Sequence, residues 1–282
     1  MNEKIKEKFF TIRTGRSAAK GTRMDVRIEA TAGDVAQLAA DFVEKALESP
    51  SPTIGLATGG TPLATYAELI DRHRTRQLRF DHAHYVMLDE YVGVAPDDPV
   101  SYHHFIREQF TDQVGVAPTS VHGPLGDTEH LDSAADAYEE VLATLAPREV
   151  QILGIGRDGH IGFNEPTSSL ASRTRVKTLH SETRADNQRF FPAGQPVPRH
   201  ALTMGIGTIL EAKRLLLIAT GEAKAEAIAA AIEGPVTAMV PATALQLHRA
   251  ATVVIDEAAA AQLVQRDYYI EVASHRPEWQ RP

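Results

Sequence analysis

Cysteine is absent from this chain of 282 residues, and tryptophan occurs once, as Trp279. The lack of cysteine excludes disulfides, thiolate catalysis and metal sites built on sulfur. No apolar run approaches the roughly 18 residues that a membrane-spanning helix needs, so the sequence predicts no membrane partner. A basic excess is also missing: the formal net charge is −8, which argues against nucleic acid as the main partner.

The two ends of the chain differ in composition from the rest. Residues 1–23 contain seven Lys and Arg, without the apolar block that makes a secretory signal. We therefore expect a flexible polar leader over residues 1–23, a folded domain over 24–270 and a tail over 271–282. Apolar residues make up 43% and charged residues 23% of the chain, as in ordinary globular proteins, and we expect a cytoplasmic location.

Short β-rich runs alternate with amphipathic helical patterns along the chain. This alternation predicts an α/β fold, with a mostly parallel sheet covered by helices on both faces. No linker-like stretch divides the chain, so we predict a single domain in which residues 192–199 form a loop. The predicted strands are 25–31, 53–57, 84–88, 150–155, 214–219 and 252–255, and the predicted helices are 34–47, 62–74, 101–113, 131–145 and 223–232.

Four polar segments each follow a predicted strand: Thr58–Thr61, Asp89, Asp158–Glu165 and Gly221–Lys224. Ligands of such sheets bind outside the carboxyl ends of the strands. We therefore expect these segments to meet at one edge of the sheet.

The segment Leu153–Pro166 reads L-G-I-G-R-D-G-H-I-G-F-N-E-P. His160 can exchange protons near neutral pH, and Asp158 and Glu165 can orient it. No serine or cysteine nucleophile lies in the segment, which favours proton transfer over acyl transfer. An ordinary loop histidine is the alternative, and a metal site is less favoured because no second histidine lies nearby.

Two turns are candidates for binding an anion. Thr58, Gly59, Gly60 and Thr61 join a strand to a helix, where free N–H groups suit a phosphate, although tight turns of this kind also occur without a ligand. Lys224 has a similar setting, and an exposed helical lysine is its alternative. Asp89 ends another strand, where a carboxylate can act as a base or simply cap a turn.

A third basic stretch, Ser168–Leu179, reads S-S-L-A-S-R-T-R-V-K-T-L. Alternating basic residues usually form a solvated strand face. The hydroxyl of Ser168 beside Arg175 and Lys177 could equally bind a second phosphate.

Several motifs together resemble glucosamine-6-phosphate deaminases: T-G-G-T-P-L-A-T-Y, L-D-E-Y-V-G, S-Y-H-H-F, G-I-G-R-D-G-H-I-G-F-N-E-P and A-L-Q-L-H. The resemblance covers about residues 25–265. It implies a modified Rossmann-like fold and the conversion of glucosamine 6-phosphate and water to fructose 6-phosphate and ammonia. It also implies a small sugar phosphate as the partner, with no cofactor and no metal.

The resemblance assigns roles by motif. Asp89 resembles the base that moves a proton between C2 and C1, and His160 the acid/base of ring opening, tuned by Asp158 and Glu165. The substrate phosphate is assigned to Thr58, Gly59, Gly60, Thr61, Arg189 and Lys224.

The resemblance also bears on regulation. Ser168, Arg175 and Lys177 match the region that holds an activator phosphate in hexameric members. A homo-oligomer is compatible with the sequence, which does not determine the oligomeric state. Those members carry a Met-Trp-Thr-type stretch before A-L-Q-L-H. Here the stretch is A-M-V-P-A-T, which puts cooperative behaviour in question.

Three alternatives remain at the sequence level. A 6-phosphogluconolactonase shares the glycine-rich turn and D-G-H, but it normally has D-E-R where this chain has Tyr91, and it lacks F-N-E-P. A deaminase or isomerase of galactosamine 6-phosphate is a closer alternative than the lactonase, and the sequence does not exclude it. A sugar-phosphate sensor would need a DNA-reading module, and the leader is too short for one.

Overall fold

A computed structural model of the chain describes residues 24–145 and 147–276. The predicted leader and the last six residues lie outside this part. The strands are β1 (Asp25–Glu29), β2 (Thr53–Leu56), β3 (His84–Met87), β4 (Asp89–Tyr91), β5 (Val121–His122), β6 (Val150–Leu153), β7 (Arg175–Thr178), β8 (His200–Thr203), β9 (Leu215–Ala219) and β10 (Ala251–Asp256). The α-helices are α1 (Ala32–Leu47), α2 (Gly60–Arg76), α3 (Tyr102–Gln109), α4 (Leu131–Thr144), α5 (Ser181–Asn187), α6 (Ile206–Ile209), α7 (Ala225–Glu233) and α8 (Arg266–Ser274).

Seven strands form a parallel sheet in the order β1-β10-β9-β6-β2-β3-β5. Every residue of β2, β6, β9 and β10 is buried, so both faces of the sheet are covered, as parallel sheets require. This confirms the predicted α/β class. The neighbours β9, β6, β2 and β3 end at the same edge, and the four polar segments follow these strands.

A second sheet of three antiparallel strands, in the order β4-β8-β7, is not among the sequence predictions. The strand predicted to end at Leu88 stops at Met87, and the chain enters β4 at Asp89, where it pairs with Thr203 of β8. A small apolar cluster, which includes Tyr91, Phe163 and Phe191, is separate from the main core and adjoins this sheet.

The helix ends follow local capping. α1 begins two residues earlier than predicted because Thr31 and Asp34 form a reciprocal capping box, with the Asp34 N–H donating to Thr31 Oγ1 at 3.1 Å. α3 ends at Gln109, earlier than predicted, and a short 3₁₀ turn follows. α8 runs across residue 270, where the tail was expected to begin, and Arg276 pairs with Asp25 at the start of β1. In the part of the chain that is described, no helix is long and apolar enough to cross a bilayer.

Candidate active site

A cavity of about 520 Å³ opens at the carboxyl edge of the parallel sheet. All four polar segments contribute to it or to its wall, as the position of the strand ends predicts. The residues that line it include Thr58, Gly59, Gly60, Thr61, Asp89, Tyr102, Gly154, Gly156, His160, Thr183, Asp186, Asn187, Arg189, Thr220 and Lys224. Asp158 and Glu165 are not among the lining residues, and they contact His160 from behind.

The turn after β2 presents backbone N–H groups to the cavity. Gly59 has a φ of 93°, a left-handed conformation that only glycine adopts without strain, and it leads directly into α2. No side chain of the described chain caps this helix start. Its first N–H groups, which have no partner within the helix, are therefore free for an anion.

Two cations line the same cavity. Lys224 is half-buried, and its Nζ donates to the Ile155 carbonyl at 2.7 Å, which ties the turn after β9 to the loop after β6. Burial lowers the pKa of Lys224 from its ordinary value. Arg189 follows α5, and its guanidinium lies over the Phe190 ring at 4.8 Å. The two positive groups and the α2 N-terminus together suit a phosphate dianion.

His160 is held by two carboxylates. Its Nδ1 lies 2.7 Å from Asp158 Oδ1 and 3.8 Å from Glu165 Oε2, and the His160 backbone N–H also donates to Asp158. Burial opposes ionisation of Asp158, but its contacts with His160 outweigh this and lower its pKa. With Nδ1 against the carboxylates, Nε2 is the nitrogen left to exchange protons with a ligand.

The glycine at 156 is needed for this arrangement. A Cβ on Gly156 would lie 2.2 Å from the His160 ring and 2.7 Å from Asp158 Oδ1, so any side chain would displace the imidazole. Glu165 is fixed independently, because its Oε1 accepts the His180 N–H at 3.0 Å.

Asp158, His160 and Glu165 could in principle also hold a cation, since one ligand atom from each lies within 4.8 Å of the others. Carboxylate and imidazole are suitable ligands for several divalent metals. Both carboxylates, however, lie on the Nδ1 side of the imidazole. That placement orients the ring for proton transfer, as in other carboxylate–histidine pairs.

Asp89 lies at the opposite wall, on β4, and only 5% of its surface is exposed. Burial raises its pKa to about 8, the charge of Glu90 adds to the shift, and the Phe163 N–H opposes it. A carboxylate with a raised pKa in a closed cavity is a candidate general base.

The predicted second phosphate region is separate from the cavity lining. Arg175 Nη1 donates to Asn164 Oδ1 at 2.8 Å, and Lys177 lies two residues further along β7. Burial, followed by the charge of Arg175, lowers the pKa of Lys177. The Ser168 hydroxyl is buried and has no hydrogen-bond partner among the described residues.

The sequence predictions missed several residues that line the cavity, because the motifs gave these residues no role. Tyr102, the first residue of α3, has its hydroxyl 3.1 Å from that of Tyr91, which also accepts the Asn187 amide at 3.0 Å. The S-Y-H-H-F motif contained the signal for Tyr102. Tyr91 itself is 1% exposed in the small apolar cluster and does not line the cavity. The difference between D-E-R and D-E-Y at position 91 therefore lies in the small apolar cluster and not in the cavity lining.

Comparisons with known proteins agree on one family. Residues 26–254 match the family model described as glucosamine-6-phosphate isomerases/6-phosphogluconolactonase. A glucosamine-6-phosphate deaminase of Corynebacterium urealyticum is 51% identical over 257 residues, which are 91% of this chain and 99% of that protein. One of Rhodococcus opacus is 49% identical over 257 residues, with the same coverage of 91% and 99%.

Solved structures agree with this assignment. A monomeric glucosamine-6-phosphate deaminase superposes with a TM-score of 0.83 at 44% identity, over 85% of this chain and 100% of that one. The 6-phosphogluconolactonase of Trypanosoma brucei, at 22% identity and a TM-score of 0.66 over 86% and 99% of the two chains, shares the fold. Since the matching region includes both the parallel sheet and the loops that line the cavity, the chain belongs to the glucosamine-6-phosphate isomerase/6-phosphogluconolactonase family.

Proposed function

We propose that the protein is a glucosamine-6-phosphate deaminase, which converts glucosamine 6-phosphate and water to fructose 6-phosphate and ammonia. The observation that carries the proposal is that two proton-transfer groups, Asp89 and His160, line one cavity together with a turn and two cations that suit a phosphate. The high identity to deaminases over nearly the whole chain supports the same reaction.

The phosphate ester fixes the sugar in the cavity. Backbone N–H groups of the Thr58–Thr61 turn, with Arg189 and Lys224, bind its oxygens. Charge-assisted hydrogen bonds of this kind are the strong ones, and several of them acting together orient the other end of the sugar toward Asp89 and His160.

Ring opening is the first proton transfer. His160 accepts the proton of the C1 hydroxyl and delivers a proton to the ring oxygen, so the C1–O5 bond breaks and an open-chain aldehyde forms. Asp158 and Glu165 stabilise the imidazolium between these two transfers, since both carboxylates lie on its Nδ1 side.

Isomerisation and deamination follow. Asp89 takes the C2 proton while one proton of the amine moves to the aldehyde oxygen, so that an enolamine with a C1–C2 double bond forms. Asp89 then returns its proton to C1, which leaves a hydroxyl on C1 and an iminium at C2. Water adds to that carbon, the C2–N bond breaks, and ammonia leaves with the ketose phosphate as the other product. Asp89 must be ionised to begin this step. Its raised pKa makes it a stronger base once it is deprotonated.

The direct test is ammonia release from glucosamine 6-phosphate by EDTA-treated protein, with galactosamine 6-phosphate and 6-phosphogluconolactone as competing substrates. We expect ammonia and fructose 6-phosphate from glucosamine 6-phosphate without added metal. Hydrolysis of the lactone with no ammonia from either amino sugar would instead assign the chain to the lactonase branch. Tight sugar-phosphate binding with no turnover would indicate a sensor.

We further propose that Ser168, Arg175 and Lys177 bind a second phosphate that modulates activity. Two observations support this: the buried Ser168 hydroxyl has no hydrogen-bond partner among the described residues, and β7 contributes the two cationic side chains Arg175 and Lys177. Arg175→Met should abolish any activation by added phosphate esters and leave the substrate KM unchanged. An unchanged activation curve in that variant would contradict this assignment.

Two further proposals concern the cellular location and the oligomeric state of the protein. We propose that the enzyme acts in the cytoplasm and self-associates as a homo-oligomer. The related deaminase of known structure is described as monomeric. Light scattering of the purified protein, with and without phosphate, measures the assembly directly.

A further inference from the structure

Asp89 and Glu90 are adjacent on β4, and successive side chains on a strand point to opposite faces. Asp89 lines the cavity, whereas Glu90 points away from it toward α3. Glu90 is 1% exposed. A carboxylate buried this completely is costly unless it is hydrogen-bonded, so its partners show what it does.

The partners of Glu90 are the backbone N–H groups at the start of α3. The Tyr102 N–H donates to Glu90 Oε2 at 2.9 Å and the His103 N–H donates to it at 3.2 Å, while the Tyr91 N–H donates to Oε1 at 2.8 Å. Ser101 caps the same helix by accepting the His104 N–H at 3.0 Å. Glu90 thus neutralises the positive end of α3 from outside the helix.

Tyr102 connects this anchor to the cavity. It is the first residue of α3 and lines the cavity, and its hydroxyl meets Tyr91, which in turn bonds to Asn187 of α5. A displacement of the α3 start would therefore move one wall of the cavity and the contact to α5.

We propose that Glu90 is a positioning residue of this site: it anchors α3, and with it Tyr102, against the strand that carries Asp89, and it places a second negative charge beside that carboxylate. The inference rests on the proposed role of Asp89 as a base. No sequence motif assigned Glu90 a role of its own.

Burial raises the pKa of Glu90 itself to about 7, against the backbone N–H groups that favour its charged form, so Glu90 is ionised near pH 8, where Asp89 titrates. Its charge then acts on Asp89 in one direction. After burial, it is the main cause of the raised pKa of Asp89. Among the described residues, the other titratable groups around Asp89 include Tyr91, Tyr102 and Tyr138, which stay neutral because burial raises their pKa, and His160, which lines the same cavity. Removing the Glu90 charge should therefore lower the pKa of Asp89 and weaken it as a base.

Two substitutions of Glu90 separate the effect of its charge from the effect of its hydrogen bonds to α3. Glu90→Gln keeps an oxygen acceptor for α3 and removes the charge. Glu90→Asp keeps the charge but is one methylene too short to reach the same N–H groups. The pH dependence of kcat/KM, which reports the free enzyme, and KM at high pH are measured for both variants and the wild type.

We expect the acid limb of the Glu90→Gln profile to lie about one pH unit lower than in the wild type, the size of shift that one nearby charge produces. The plateau kcat should fall about 3- to 10-fold, because a weaker base transfers the proton more slowly. Glu90→Asp should keep the wild-type acid limb and raise KM.

Circular dichroism melting confirms that each variant is folded before kinetics are compared. A folded Glu90→Gln protein whose acid limb superimposes on that of the wild type would overturn the proposal, since a purely structural residue would change the yield or melting temperature and leave the limb in place. Failure of the proposed function is a separate result, because the wild type would then release no ammonia.

Discussion

The two sheets of this protein are stabilised differently and contribute different parts of the site. The parallel sheet is buried on both faces. The Thr58–Thr61 turn, the His160 loop and Lys224 follow the carboxyl ends of its strands β2, β6 and β9, respectively, and line the cavity. The three-stranded sheet is small and rests on a separate apolar cluster, yet β4 supplies Asp89. The proposed base thus comes from one sheet and the proposed phosphate site from the other, so the proposed mechanism requires the two sheets to be positioned correctly relative to each other.

The largest expected effect is that of Asp89→Asn, which removes the base supplied by the small sheet. We expect kcat to fall by about 10²- to 10⁴-fold, the usual contribution of a positioned proton-transfer group. The amide has nearly the same shape, so the melting temperature should not drop. Ammonia release at saturating substrate is the measurement, and near-wild-type turnover would remove Asp89 from the mechanism.

His160→Ala makes the corresponding change on the side of the large sheet. A loss of about 10²- to 10⁴-fold is again expected, because ring opening loses its acid/base. Pre-opened analogues without a C1–O5 bond should be affected less than the cyclic substrate. If both substrates lose activity equally, His160 acts in a later step.

Truncating one buried side chain in each sheet compares the contributions of the two sheets to stability and to activity. Leu217→Ala in β9 and Leu202→Ala in β8 each remove a fully buried side chain, which should cost about 2–5 kcal/mol of unfolding free energy. Only Leu202 pairs with β4, so its variant should also lose kcat in the folded fraction. Denaturant unfolding followed by kinetics under native conditions tests this, and equal kcat for both variants would show that the small sheet does not position Asp89.

Lys224→Met tests the proposed phosphate-binding site at the edge of the parallel sheet. Loss of a charge-assisted contact should cost about 1.5–3 kcal/mol and raise KM by about 10- to 150-fold, with a smaller change in kcat. Lys213→Met is a matched control, since Lys213 pairs with Glu149 away from the cavity lining. Equal KM values in the two variants would exclude Lys224 from phosphate binding.

The last comparison concerns the pH dependence of stability. The pKa of Asp89 is raised to about 8 in the folded protein and lies near 4 in an unfolded chain. Between these values the folded state keeps a proton that the unfolded state has lost. Stability therefore falls as pH rises from about 4 to 8. Asp89→Asn should flatten this slope in urea unfolding at several pH values, whereas an unchanged slope would assign the proton to another group.

The sequence predicted the parallel sheet because its strands are continuous apolar runs between helical patterns, and chain order alone brought the phosphate turn, the His160 loop and Lys224 to one edge. It did not predict the second sheet. β4 has three residues, two of them acidic, so its burial comes from α3 and β8 and not from its own composition. Tyr102 was missed for a related reason, since its position depends on where Glu90 holds the helix.

A single residue, Leu88, separates β3 from β4, and its carbonyl accepts the Met204 N–H at 2.7 Å beside β8. Asp89, the proposed base, is therefore attached almost directly to the parallel sheet. Residues 181–190, five of which line the cavity, instead follow β7 of the small sheet. Substitutions among those five should therefore change the shape and charge of the cavity more than they change the connection of Asp89 to the parallel sheet.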